Sequence, residues 1–265
     1  MNTAHPEAIS DALHSAAEAG VLLLATDFDG TIAPFMDDPM AVRPLSGAVE
    51  ALTEAAALPH TVAALVSGRD LATLETLSGA PSSVALIGSH GGQSTHSAVA
   101  GTDALTDAHL ATLDRLAEVF EELQQRHPGA RIERKAAAVV WHTRGLPEPD
   151  NARALADAAE WAVERCGVEP MFGKDVVECA VLDVSKGHAL RTLATALEAD
   201  AVVYLGDDVT DETVFTEFAG TPGALMVKIG EGDTAATLRL PGPEQAVEAI
   251  TRLVQLRRAV AARHA

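Results

Sequence analysis

Asp27 and Asp29 stand two positions apart in Asp27-Phe28-Asp29-Gly30-Thr31, directly after the apolar run Val21-Leu22-Leu23-Leu24-Ala25-Thr26. A carboxylate at the end of a buried strand can attack phosphorus, giving an acyl phosphate that water then hydrolyses. The second carboxylate shares the pocket and could protonate a leaving alkoxide, then deprotonate the attacking water. Gly30 lets the backbone pass close to a phosphate, and Thr31 offers a hydroxyl and an N–H near a helix start. An Asp-Gly turn with a capping threonine is the ordinary alternative. The whole string after a buried strand is rarer than a turn requires, and it reads as a phosphoryl-transfer loop.

Three further segments could complete such a site. Ser67-Gly68-Arg69 ends the next apolar run, where the Ser67 hydroxyl could bind a phosphoryl oxygen. Lys186 opens a predicted helix, where a cation gains nothing from the helix dipole and so points to a ligand. Gly206-Asp207-Asp208 followed by Asp211-Glu212 crowds four carboxylates at a strand end. Such anions repel one another unless a cation sits among them, and an all-oxygen donor set suits Mg²⁺. Helix capping by Thr210 or Asp211 could coexist with that role.

These loops need a scaffold that brings strand ends together. Short apolar runs alternate with helix-period segments, the pattern of an α/β fold with a parallel sheet. Buried strands are expected at Val21–Thr26, Thr61–Val66, Val84–Ile87, Ala201–Leu205 and Ala224–Ile229. Between the first two, Pro44 is placed in the first turn of a helix with Leu45, Val49 and Leu52 on one stripe. From about Gln93 to Val184 the rhythm changes. A long amphipathic helix over Asp107–His127 precedes mixed strands at Arg131–Lys135 and Ala138–Thr143, a helix over Asn151–Cys166 and a strand at Val176–Val181. Strands carrying charges among apolar residues suit a sheet covered on one face. The expected organisation is a Rossmann-like core, residues 1–92 and 185–265, with an inserted smaller α/β cap domain over 93–184.

The chain has 265 residues, 19 Lys+Arg against 38 Asp+Glu and a formal net charge of −19. That balance argues against a nucleic-acid or anionic-membrane partner, and it requires any phosphate site to be locally positive. Cys166 and Cys179 form no metal-ligand spacing and fit a reducing cytosol. Met1–Ala19 carries no charged segment followed by an apolar one, so a cytoplasmic protein is expected, with a monomer as the simplest assembly.

In order and context the motifs resemble the haloacid-dehalogenase (HAD) superfamily of phosphatases and, within it, the trehalose-6-phosphate phosphatases. The resemblance rests on Asp27-Phe28-Asp29-Gly30-Thr31, Ser67-Gly68-Arg69, Lys186-Gly187 and Gly206-Asp207-Asp208-Val209-Thr210-Asp211-Glu212. It implies Asp27 as nucleophile and Asp29 as acid and base. Mg²⁺ would be held by Asp27, the Asp29 carbonyl and Asp207, with Asp208 and Asp211 in support. Thr31, Ser67 and Lys186 would serve the phosphoryl group. Gly88-Ser89-His90-Gly91 resembles a family element near the cap junction, and places Arg69, His90 and Gly91 beside the substrate or hinge.

Glu133-Arg134-Lys135, His142-Thr143-Arg144 and Glu178 resemble the family's cap signature. On strands, Glu133 and Lys135 share a face, as do His142 and Arg144. Carboxylates and an ammonium can clamp sugar hydroxyls, although cross-strand charge pairs would place the same residues together. The chain departs from the family where Cys179-Ala180-Val181 follow Glu178, in place of a basic residue and a proline. The resemblance implies hydrolysis of trehalose 6-phosphate to trehalose and phosphate, in trehalose biosynthesis, with the cap closing over the sugar. Another sugar phosphate, such as a glucosylglycerol phosphate or a trehalose-like pseudodisaccharide phosphate, a phosphotransfer to sugar, or a non-catalytic sugar-phosphate-binding protein remain as alternatives.

Overall fold

In the computed structural model, which describes residues 6–99, 105–135, 137–181 and 185–264, the chain divides into two compact units. The larger comprises Met1–Thr102 and Ser185–Ala265, the smaller Asp103–Val184. The larger unit begins with α1 (Pro6–Ala17), β1 (Leu22–Thr26), α2 (Ala48–Ala56), β2 (Thr61–Val66), α3 (Leu71–Ser78), β3 (Ala85–Gly88) and β4 (Gln93–Ser94). The smaller holds α4 (Asp107–Gln124), β5 (Arg131–Arg134), β6 (Ala138–His142), α5 (Glu148–Cys166), β7 (Met171–Gly173) and β8 (Val176–Ala180). The larger resumes with α6 (Lys186–Ala196), β9 (Ala201–Gly206), α7 (Glu212–Glu217), β10 (Ala224–Ile229), β11 (Leu238–Leu240) and α8 (Pro243–His264).

The large sheet has the order β11-β10-β9-β1-β2-β3-β4, parallel except where β4 pairs antiparallel with β3. Its central strands β1, β2, β3 and β9 are largely apolar because both faces are covered. Leu22 and Leu24 pack into a layer with residues of α1, α2, α3 and α8, while Leu23 and Ala25 pack with those of α6 and α7. The chain leaves β1 towards β2 on one side and later returns to β9 on the other. Strand order therefore reverses beside β1, and crevices at such a reversal are where open α/β sheets place ligands. Asp27 follows β1 and Asp207 follows β9, so the topology brings both loops to that crevice.

In the smaller unit β5-β6-β8-β7 form an antiparallel sheet. Val139, Trp141, Val177 and Cys179 alternate towards α4 and α5, packing with Leu116, Phe120, Ala158 and Ala162. The opposite sheet face carries Glu133, His142 and Glu178, whereas Arg134 stands opposite Val139 on the helix side and pairs with Asp114 of α4 at 2.9 Å.

Three expectations need correction. Gln93 and Ser94 pair with Gly88 and Ile87, which adds them to the large sheet, so the smaller unit starts at Asp103. The expected boundary at Val184 lies outside the described residues. Helix α2 starts at Ala48, after Gly47 at φ 88°, and Leu45 before it donates its N–H to the Ile32 carbonyl at 2.8 Å. Pro44 thus precedes the helix and does not open it. Helix α1, not anticipated in the polar, alanine-rich N-terminus, buries Leu13, Ala16 and Ala17. Among the described residues no helix is long and apolar enough to cross a membrane.

Candidate functional site

Asp27 is buried at the end of β1, where its N–H donates to the Leu205 carbonyl at 2.8 Å and fixes the loop against β9. Lys186, first residue of α6 and also buried, donates from Nζ to Asp27 Oδ1 at 2.7 Å and to Asp211 Oδ1 at 2.8 Å. The Thr31 hydroxyl lies 3.1 Å from Asp207 Oδ1 and 3.4 Å from Asp27 Oδ2, between the two loops. Gly30 makes this approach possible. It sits at φ 75°, and a β-carbon there would lie 2.2 Å from Asp207 Oδ2.

Carboxylate oxygens of Asp27, Asp207 and Asp211 lie within 4.8 Å of one another. Burial pushes the Asp27 carboxyl well above its usual range; Lys186 pulls it back, while Asp211 and Asp207 push it further up. Burial and then the Asp211 charge raise Asp207 to about 6. For Lys186, burial works against the charged form, yet Asp27 and Asp211 outweigh it and the ammonium is held above its usual value. Asp27 and Asp211 thus share the buried Lys186 ammonium, and Asp207 adds a third carboxylate whose side chain has no lysine partner among the described residues. That excess of hard oxygen donors fits a divalent cation such as Mg²⁺.

Asp29 is held elsewhere. Arg69 Nε and an Arg69 terminal nitrogen donate to its two carboxylate oxygens at 2.6 and 2.7 Å, a bidentate pair between two strand-end loops. Ser67 is buried just past β2, its N–H bonded to the Ile87 carbonyl at 2.8 Å and its hydroxyl accepting from the Arg69 N–H at 3.2 Å. The next loop carries Ser89 and His90 at φ 50° and 56° and Gly91 at φ 119°. Non-glycine residues in that region are strained, and such strain clusters at functional loops. The His90 imidazole lies over Gly68, where a β-carbon would come within 2.5 Å of the ring.

Asp208 stands apart from the three-carboxylate cluster. It is exposed, and its Oδ1 accepts from the Val209 N–H at 2.7 Å. Two residues of the site were not anticipated. Tyr204, within β9, donates its hydroxyl to Asp211 Oδ1 at 2.6 Å. Lys228, buried in β10, donates to the Asp207 backbone carbonyl and lies 3.8 Å from Glu212 Oε1. Both interrupt apolar strand runs, and a polar residue amid a buried run is the signal that marks them.

The sugar-clamp candidates lie in the smaller unit. Lys135 Nζ pairs with Glu178 Oε2 at 2.8 Å, and His142 Nε2 with Glu133 Oε2 at 2.8 Å. Glu133 and Glu178 both stand opposite Val140 on β6, so they share the sheet face away from α4 and α5. Arg144 lies past the end of β6, in an exposed turn, and so does not extend that strand face as expected. Of the thiols, Cys179 is buried among the apolar residues beneath α4 and α5, which pushes it up to about 12.

The sequence model of one protein family, trehalose-phosphatase, matches residues 25–243 of the chain. A trehalose-phosphate phosphatase of Mycobacterium marinum is 35% identical over 239 residues, covering 86% of this chain and 60% of its own length. The chain therefore spans less than two thirds of that curated relative. A solved structure of Aspergillus fumigatus trehalose-6-phosphate phosphatase is 27% identical with a TM-score of 0.73, covering 96% of this chain and 98% of the other. The C-terminal domain of a Candida albicans trehalose synthase regulatory protein is similar in fold alone, at 16% identity and a TM-score of 0.72, over 94% of this chain and 98% of the other.

Proposed function

The chain belongs to the trehalose-phosphatase family, and from that premise we propose that it hydrolyses trehalose 6-phosphate to trehalose and inorganic phosphate. The observation that carries this reading is the buried Asp27 carboxylate, held by Lys186 and lying with Asp207 and Asp211 within 4.8 Å. An oxygen of Asp27 forms a bond to phosphorus as the ester P–O bond breaks. The departing sugar alkoxide takes its proton from Asp29. Asp29 then removes a proton from water, whose oxygen attacks phosphorus and releases Asp27 from the acyl phosphate. In this structure each Asp29 oxygen accepts one hydrogen bond from Arg69, which orients the carboxyl and leaves a second lone pair on each oxygen for the proton it carries.

Mg²⁺, held through Asp27, Asp207 and the Asp29 carbonyl with Asp208 and Asp211 in support, would neutralise charge spreading over the phosphoryl oxygens. Lys186 adds a fixed positive charge on the Asp27 side, and Ser67 offers a hydroxyl from the neighbouring loop. Glu133, Lys135 and Glu178 are assigned to the sugar hydroxyls, with His142, Arg144, His90 and Gly91 as further substrate contacts. We place this chemistry in the cytoplasm, as part of trehalose synthesis.

The test is phosphate release from a panel of sugar phosphates, with and without EDTA. Trehalose 6-phosphate should be clearly the best substrate, EDTA should stop the reaction and added Mg²⁺ should restore it. Equal or faster release from another disaccharide phosphate would reassign the substrate, and release unaffected by EDTA would remove the cation from the reading.

A further inference from the structure

We propose that Tyr204 is a positioning residue of the phosphoryl-transfer site, its hydroxyl fixing the Asp211 carboxylate so that Lys186 stays shared with Asp27. The inference rests on the reading of Asp27 as nucleophile. Tyr204 lies in the middle of β9 with none of its surface exposed, and its ring meets Phe215 edge-on at 6.0 Å. Packed this way, the phenol has one direction in which to point. It reaches Asp211 Oδ1 at 2.6 Å.

The same oxygen accepts from Lys186 at 2.8 Å, and Asp211 Oδ2 accepts from the Asp208 N–H at 2.9 Å. Asp211 is fully buried, so its charge must be met by donors inside the protein. Without the Tyr204 hydroxyl, Lys186 would be the remaining donor to Oδ1 among the described residues, and the ammonium would shift its weight from Asp27 towards Asp211. Tyr204 supplies the second donor from the sheet floor. It thereby leaves Lys186 free to serve the nucleophile and the transferring group. The rest of β9 is apolar, and phenylalanine would fill the same space, so the hydroxyl answers to Asp211 rather than to packing.

Tyr204→Phe removes one oxygen and leaves the ring. Turnover of trehalose 6-phosphate should fall roughly tenfold or more, with KM changed less than about twofold, because a lost hydrogen bond to a charged group acts on placement rather than substrate contact. Leu253→Ala, a buried position on α8 away from these loops, is the control for lost stability and should keep kcat near wild type. Tyr204 is the single tyrosine of the chain, so protein carrying ¹³Cζ-tyrosine gives one resonance. Mg²⁺ alone should shift that resonance in the wild type and not in Asp207→Asn. A kcat within twofold of wild type, a loss matched by Leu253→Ala, or a resonance indifferent to activating Mg²⁺ concentrations would each overturn the proposal. Wild-type protein inactive on every sugar phosphate would instead sink the proposed function, with the resonance measurement still deciding the role of Tyr204.

Discussion

Asp207 pays in the metal-free protein for what it can do with a cation bound. Its folded-state value of about 6 stands above the ordinary 3.8, with burial the first cause and Asp211 the second. A carboxyl raised on folding adds stability that is fully present below its unfolded value and is lost as pH rises through the folded one. Asp27 is shifted in the same direction. Metal-free protein should therefore lose this contribution between about pH 4 and pH 6, and a cation that binds the ionised cluster should restore stability above that window. The thermal midpoint should rise more on adding Mg²⁺ at pH 7.5 than at pH 5, by differential scanning fluorimetry. Equal shifts at both pH values would contradict this account of the cluster. At this scale the strand-end loops were legible, because Asp27, Ser67 and Asp207 stand next to apolar runs whose ends converge, and Lys186 was legible because it opens a helix where the dipole gives a cation nothing. Tyr204 and Lys228 were not, because their partners Asp211 and Asp207 are joined to them only by the turn after β9 and by the pairing of β10 with β9.

At the scale of elements, the terminal helix is tied down by one buried cation. Arg257 on α8 donates to the carbonyls of Ala17, Ala19, Gly20, Pro59 and His60 and, at 3.1 Å, to the Thr61 hydroxyl. Those acceptors run from the end of α1 into the turn before β1, and from the turn before β2 to its first residue, so the side chain ties α8 to the approaches to both strands. Its burial pulls the guanidinium below its ordinary value, yet the ring of acceptors keeps every donor engaged. Arg257→Met should cost about 3 kcal/mol of stability, since buried carbonyls lose their donors. Urea unfolding measures this, and kcat/KM under folded conditions should stay near wild type. A loss below about 0.5 kcal/mol would show that the acceptors find other partners. Most elements were readable from hydrophobic period within a residue or two. Helix α1 was missed because the polar, alanine-rich composition around it hid a stripe of Ile9, Leu13, Ala16 and Ala17 at helical spacing, and the Pro44 start failed because Gly47 in the left-handed region resets the chain before α2.

At the scale of the whole molecule, the sequence showed a change of rhythm between two parallel-sheet segments, and the structure has a separate compact unit there, Asp103–Val184. The exact start was hidden because β4 is two residues long and carries no strand pattern of its own. Fold alone does not decide chemistry, since the same architecture can carry unrelated activities. The decision rests on Asp27, and the most direct measurement is turnover of trehalose 6-phosphate by Asp27→Asn at saturating Mg²⁺. The amide keeps the shape, removes a charge that burial disfavours, and leaves Lys186 paired with Asp211. The account predicts an unchanged or higher thermal midpoint with hydrolysis reduced at least about a thousandfold. A folded variant working within about tenfold of wild type would contradict it.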